Sequence, residues 1–169
     1  MSNAVTVNIK GLDELERKLG PQLVAGPARR FLTKWGIAVA AQAAVRSPRN
    51  KGQLAGSMTH EINGSYPSIS ARAGTNADHA PFMEGGTGLL NDGSVGGGGS
   101  RHWPPGNALD GWARTHGFDN GGEVAAAIGR RGGLKPRKML RNAVDDTVGK
   151  VPGYVAAFAR DIEASAGEK

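Results

Sequence analysis

"ARRFLTKWGIAVAAQAAVRS", Ala28 to Ser47, is the stretch on which the fold turns. Phe31 and Trp35 stand one helical turn apart, and Val39 and Ala43 continue the same stripe, so the run reads as an amphipathic helix. From Ala28 to Val45 it would reach about 27 Å, enough to cross a small domain. Ala38, Ala40, Ala41, Ala43 and Ala44 keep one side thin, which permits close contact with another helix or a neighbouring subunit. Gly26-Pro27 before it and Pro48 after it read as its boundaries.

Working outward, "VTVNIKGL" alternates, with Val5, Val7 and Ile9 pointing one way and Thr6, Asn8 and Lys10 the other, as in a half-buried strand. "GLDELERKLG" follows with Leu12, Leu15 and Leu19 at helical spacing, acids early, and Gly20-Pro21 as a stop. Beyond the long helix, "QLAGSMTHEIN" and "SISARAGTN" flank the turn signal "GSYP" and read as an antiparallel hairpin. "PGNALDGWARTHGF" places Ala108, Leu109, Trp112 and Ala113 on one helical face, with Gly117 as its cap. "EVAAAIGRRGG" reads as another short helix ending in glycines. "KMLRNAVDDTVGKVPGYVAAFARDIEASA" has helical spacing, with Met139, Leu140, Ala143, Val144 and Val148 in its first half and an interruption at Pro152. The expected fold class is α+β: a small antiparallel sheet packed against one long helix, with C-terminal helical segments. Residues 1–169 read as a single domain with a flexible Gly-rich loop at 88–101 and a C-terminal helical tail at 151–169. Leu54, Phe82 and Trp112 are expected in the core, because large apolar residues are scarce here.

Aromatic residues make up 5% of the 169 residues and apolar residues 38%, while glycine contributes 27. That composition predicts a modest core and long loops, with part of the order supplied by partners. The absence of cysteine excludes disulfides and thiolate zinc sites. No apolar run approaches the roughly 20 residues needed to span a bilayer. The start "MSNAVTVNIKG" lacks the regions of a secretion signal, so a soluble protein made and kept in cytoplasm, or assembled from it, is expected. The net charge is +6, and six of the 21 basic residues fall within "GRRGGLKPRKMLRN" (Gly129 to Asn142). Arg130, Arg131, Lys135, Arg137, Lys138 and Arg141 could each neutralise a phosphate or face an acidic protein; the plainer reading is a solvated loop and helix start. No recognised DNA- or RNA-binding pattern accompanies them, and aromatics do not interleave with them in the chain.

Catalytic chemistry finds little support: there is no thiol, no G-x-S-x-G elbow and no G-K-[ST] phosphate loop. His60, His79, His102 and His116 are widely separated. "HAPFMEGGTG", His79 to Gly88, is the one segment that could be a glycine-rich catalytic or ligand loop. A metal site from Asp78, His79 and Glu84 would need folding to assemble it, and Glu84 as a general acid or base lacks an obvious partner acid. No catalytic, cofactor-binding or metal residue is assigned, and no enzyme activity is expected.

Several segments, in order, resemble one family, the tail-completion or minor tail proteins of long-tailed phages (lambda protein Z-like, head–tail joining). A strand and a "GLDEL" start lead into the long helix. A P-x-x-x-G-x-L-x-x-S segment follows, matched at Pro48, Gly52, Leu54 and Ser57. The family's YA-x-x-x-E-x-GT element is matched at Ala80, Glu84, Gly86 and Thr87, with His79 in place of Tyr. Actinobacterial-phage members carry PP-x-x-A-L-x-x-W-A-R-x-H-G, matched at Pro104, Pro105, Ala108, Leu109, Trp112, Ala113, Arg114, His116 and Gly117. "AAIGRRGGLKPRKMLRNA" is similar to the last element, with Met139 where Phe is common. The Gly-rich loop from Asn91 to Ser100 is longer than in the family.

This resemblance, from about Val5 to Asp146, implies a structural virion protein that completes the head-proximal end of the tail and helps join it to the capsid connector. It implies a homo-oligomeric ring, with six-fold symmetry expected, and heterologous contacts between subunits. Implied partners are a tail terminator or tail tube protein and the connector proteins, with DNA or tape measure in the lumen and no membrane. The expected location is the virion tail or neck, after assembly in the host cytoplasm. The alternatives are a tail terminator or other neck ring, and a basic DNA-contacting protein. "HAPFMEGGTG" is then a strand edge turning into a loop, with Glu84 expected to pair with Arg137 or Arg141 of the same or a neighbouring subunit. Gly85 and Gly86 supply the backbone angles of that turn.

Overall fold

A computed structural model describes residues 4–8, 20–49, 51–95 and 98–167 of the chain. Among them the order is β1 (Ala4–Asn8), α1 (Pro21–Arg46), α2 (Gln53–Gly56), β2 (Thr59–Asn63), β3 (Ser70–Gly74), α3 (Ala80–Gly85), α4 (Gly106–Thr115), α5 (Gly121–Arg131), α6 (Met139–Val148) and α7 (Val151–Gly167). The expected helix carrying Leu12, Leu15 and Leu19 lies outside the described residues, as do Ile9 and Lys10. The architecture is α+β as expected, with an antiparallel sheet on the long helix and helices closing the C-terminal half.

α1 is longer than its sequence pattern suggests. It begins at Pro21, a favoured first helical position, and runs through Gly26-Pro27 without a break. Pro27 forfeits one backbone hydrogen bond, but it is buried, and so are Val24 and Ala28 on either side of it. Val24, Ala28 and Leu32, spaced four residues apart, form a core with Ile69 and Ala71 of the sheet side and Ile162 of α7. Burial of that first turn and a half outweighs the local penalty, which a boundary rule based on proline alone does not see. The far end stops at Arg46 before Pro48, as expected.

β3 is the middle strand, with β1 and β2 antiparallel on either side, order β1-β3-β2. Ile62 lies opposite Ala71 and His60 opposite Ala73. The buried residues of β3 are small, which lets α1 sit close to the sheet; a Cβ on Gly36 would come within 3.2 Å of the His60 ring. The "GSYP" turn joins β2 to β3 as the sequence predicts. "QLAG", expected as part of a strand, is instead the single helical turn α2, closed by Gly56 N–H to Gly52 C=O and Ser57 N–H to Gln53 C=O. Its reason is Leu54, which folds inward onto Ala80 and Met139.

α6 and α7 cover the other flank of α1. Val39, Ala40 and Ala43 pack against Ala73, Leu140 and Ala143, so the thin side of the helix is used within the chain. The Trp35 indole donates to the Thr147 hydroxyl at 3.1 Å, and that hydroxyl donates to Val144 C=O. Arg46 grips Asp146 through both carboxylate oxygens, with Gln42 donating to the same group. The Arg46 bond holds the Asp146 carboxyl below its usual range and raises Arg46 in turn. On α7, Phe158 tilts against Phe31 at 5.9 Å, and Arg30 pairs with Asp161 at 3.0 Å. The break between α6 and α7 falls at Gly149-Lys150, and Pro152 stands in the first turn of α7, where its missing N–H costs nothing.

α4 and α5 form a helical hairpin packed on each other. Asn120 caps α5 by accepting from Glu123 N–H at 3.1 Å. Gly117 takes φ +80° just past α4. Of the residues expected in the core, Leu54 is there, Trp112 is half-buried and stacks on His116 at 3.9 Å, and Phe82 is 49% exposed. The last is a correction: Phe82 follows Pro81 in the short helix α3, whose inward face is taken by Ala80 and Glu84.

Leu32 is fully buried between sheet and α7, while Ile37 on the same helix is half exposed. Leu32→Ala is expected to lower unfolding free energy by about 2–5 kcal/mol in urea titrations, and Ile37→Ala by no more than about 0.5 kcal/mol.

Candidate functional site

The segment "HAPFMEGGTG" is not a strand edge. Ala80 to Gly85 form α3, and the chain then turns at Gly86, φ +75°, to lie beside residues 132–138. Thr87 and Leu134 bond reciprocally: Thr87 N–H donates to Leu134 C=O at 2.9 Å, and Leu134 N–H donates to the Thr87 hydroxyl at 2.9 Å. Leu89 N–H and His102 N–H both donate to Gly132 C=O. Arg137 N–H donates to Met83 C=O and Lys138 N–H to Glu84 C=O. The two motif segments, remote in sequence, are therefore one backbone-bonded unit. Gly88 shows how close the approach is: φ is +63°, and a Cβ there would lie 2.1 Å from Gly132 O. No residue with a side chain fits.

Among the described residues of its own chain, Glu84 pairs with no guanidinium, neither that of Arg137 nor that of Arg141. It is buried, 7% exposed, and its carboxylate accepts from Leu140 N–H at 2.9 Å and Arg141 N–H at 3.1 Å. These are the second and third residues of α6, the amides that an N-cap side chain ordinarily serves. α6 has no cap of its own, since its N-cap position is Lys138 in the left-handed conformation at φ 53°. Glu84 supplies the cap from a distant part of the chain and places its charge against the positive end of the helix. That use of both oxygens removes Glu84 from the Asp78–His79–Glu84 metal arrangement. Asp78 and His79 are exposed, and no group of three or more His, Asp or Glu among the described residues could hold a metal ion.

The basic residues divide in two. Arg141 reaches Asp92 of the Gly-rich loop at 3.0 Å, and Lys138 stands 3.8 Å from the same carboxylate. The Ser94 hydroxyl and amide also donate to Asp92, and together with Arg141 they bring its pKa down from 3.8 to about 2. Asn91 adds two side-chain bonds, to Gly86 C=O and Val95 C=O, so the described part of the 88–101 loop is pinned across the motif junction. Arg130, Arg131, Lys135 and Arg137 remain exposed, with no ion pair among the described residues. Arg101 lies across the end of α5, donating to Gly129 C=O and Arg130 C=O.

Beside those charges, folding gathers apolar groups that sequence reading did not connect to them. Phe82 stacks on His102 with centroids 6.4 Å apart, and Leu89 and Trp103 are 54% and 57% exposed. Asp92, His102 and Trp103 carry no local signal, because their roles depend on where a loop crosses α5 and α6. Thr87 did lie within a recognisable motif, though its partner Leu134 was not deducible from it.

No family model matches the chain, and no curated protein or solved structure matches it.

Glu84→Ala leaves the buried Leu140 amide and the part-buried Arg141 amide of α6 without their acceptor and is expected to cost about 1–3 kcal/mol in chemical denaturation, with Glu84→Gln losing less because one acceptor oxygen remains. The latch at Asp92 gives a second test. Its folded-state pKa is depressed, so its contribution is fully present above about pH 4 and disappears as pH falls through about 2. Asp92→Asn should flatten stability against pH over that acid window; an unchanged profile would show that the latch contributes nothing.

Proposed function

We propose that this chain is a structural virion protein of a long-tailed phage, acting at the head-proximal end of the tail in tail completion and head–tail joining. The observation that supports this reading is the ordered set of family-like segments, two of which, Glu84–Thr87 and Gly132–Arg141, fold as one bonded unit. Their residues serve shape: the Glu84 carboxylate accepts from two α6 amides, and Thr87 bonds to the Leu134 backbone through both its amide and its hydroxyl. The reading is non-catalytic.

In this proposal the chain works as a closed ring, six-fold by expectation, that meets the tail terminator or tail tube on one side and the connector on the other, with DNA or tape measure in the lumen. A ring of this kind needs two different contact faces per subunit. An exposed row of Ile37, Ala41 and Val45 on α1 and the half-exposed Val155 on α7 are apolar surfaces available for such contacts. No helix among the described residues is long and apolar enough to cross a membrane. A tail terminator or other neck ring is the alternative within the same assembly. Arg130, Arg131, Lys135 and Arg137, exposed and in no ion pair among the described residues, favour the second reading, a DNA-contacting protein.

Native mass measurement or negative-stain imaging of the purified chain, or of tails carrying it, is expected to show a ring unaffected by chelators. Deleting the gene should yield separate heads and tails. Normal virions from the deletion, or a chain that stays monomeric and is missing from virions, would overturn the assignment.

A further inference from the structure

We propose that the surface around the end of α5 binds single-stranded nucleic acid, with its exposed rings stacking on unpaired bases and the adjacent arginines taking the phosphates. This goes beyond the assembly role and does not depend on it.

The surface is built where three parts of the chain cross. Gly132 C=O accepts from both Leu89 N–H and His102 N–H, which brings the loop after α3 and the segment before α4 onto the last turn of α5. Arg101 fastens that crossing by donating to the terminal carbonyls of the helix, a favourable place for a cation. The Trp103 ring then lies directly on Gly129, so closely that a Cβ there would fall 2.2 Å from its ring atoms. The ring is held from one side and open on the other, with 57% of the residue exposed. Phe82 and His102 form a second, roughly parallel stack with an interplanar angle of 20°. Arg130 and Arg131 follow Gly129 in the same turn, and Lys135 and Arg137 continue along the segment beyond it.

Charge selects the occupant. Among the described residues, no acid pairs with Arg130, Arg131, Lys135 or Arg137. The described acids also offer a second copy of the chain little to place against them. Glu61, Asp92, Asp146 and Asp161 are in ion pairs, Glu84 caps α6, and Asp110 accepts from Gly121 N–H. Asp78, Asp119, Glu123, Asp145 and Glu163 are dispersed over separate elements. A polyanion complements a rim of one sign, and exposed rings add to that only if the polyanion has π-faces to offer. Duplex DNA hides its base faces within the stack; single strands present them. Rings beside arginines, held on a rigid helix end, are the parts of a sequence-tolerant single-strand site.

The test uses the full-length chain and fluorescence anisotropy with a labelled oligo-thymidine of about 20 nucleotides, a duplex of equal length, and polyglutamate as competitor. The expected result is tighter binding to the single strand than to the duplex, resistant to polyglutamate. Trp103→Ala and Phe82→Ala should each weaken single-strand binding roughly tenfold while leaving duplex binding nearly unchanged, and Trp103→Phe should retain most of the affinity. Gly129→Ala, which displaces the ring without removing it, should behave like Trp103→Ala. The double variant Arg130→Ala/Arg131→Ala should weaken both ligands and reduce the slope of log affinity against log salt for the single strand by about 1.4. Circular dichroism checks that each variant is folded, and the arginine variant, on exposed side chains, keeps the test open if a ring variant is not. Equal affinity for duplex and single strand, displacement by polyglutamate, self-association through this face, or no binding at low salt would each overturn the proposal. A ring that ignores oligonucleotides would overturn this inference and the DNA-contacting reading but not the assembly reading, and a monomer that binds them would overturn only the assembly reading.

Discussion

The structure depends on one buried carboxylate. Glu84, at the end of a short helix, closes the amino end of α6, which begins at a left-handed lysine and has no side chain of its own to do so. An uncapped, buried helix end is expensive because its amides lose water and gain nothing in return. Glu84 offsets that cost and fixes where α6 starts. Once α6 is placed, Leu140 and Ala143 meet Ala40 and Ala43 of α1, Thr147 meets the Trp35 indole, and Asp146 meets Arg46. The joint between the two halves of the chain is thus a charge on a helix end, backed by apolar contact along the helix.

The same junction shapes the outer surface. Thr87 and Leu134 are joined by one backbone bond and one bond to the Thr87 hydroxyl, and the glycines around them allow backbones to touch. With that crossing fixed, the loop after it returns to α6 through Asp92 and the segment before α4 is drawn over α5 through His102 and Arg101. The basic segment is divided as a result. Lys138 and Arg141 turn to Asp92 of the loop, and Arg130, Arg131, Lys135 and Arg137 are left outside next to exposed rings. A charge run that reads uniformly along the chain becomes two structural residues and four available ones.

The core itself is spare. Its largest fully buried side chains include Leu32, Met139, Val24 and Val39, and much of the rest is alanine. Alanine on β3 and α1 brings helix and sheet close enough that a Cβ on Gly36 would stand only 3.2 Å from the His60 ring. Close approach compensates for the shortage of large apolar groups, since contact at short range recovers dispersion energy that bulk would otherwise provide. The larger rings are correspondingly free to lie at the edge, as Trp103, Phe82 and Phe118 do.

Local periodicity determined the α+β class, the long helix, the hairpin around "GSYP", the two helices of the α4–α5 hairpin and the C-terminal helices. Each is a pattern of apolar spacing and punctuation that a short window contains. The start of α1 and the turn at Gln53–Gly56 escaped it, because burial of Val24, Ala28 and Leu54 against distant residues overrides what Pro27 and the local pattern favour. The sequence also marked "HAPFMEGGTG" as a special segment, and marked the basic run. What it did not contain was their relation. A carboxylate shows its preference for positive charge in sequence, but not whether a guanidinium or a pair of helix amides will supply it. That choice is made by the distance between α3 and α6, which is set by the whole of the chain between them.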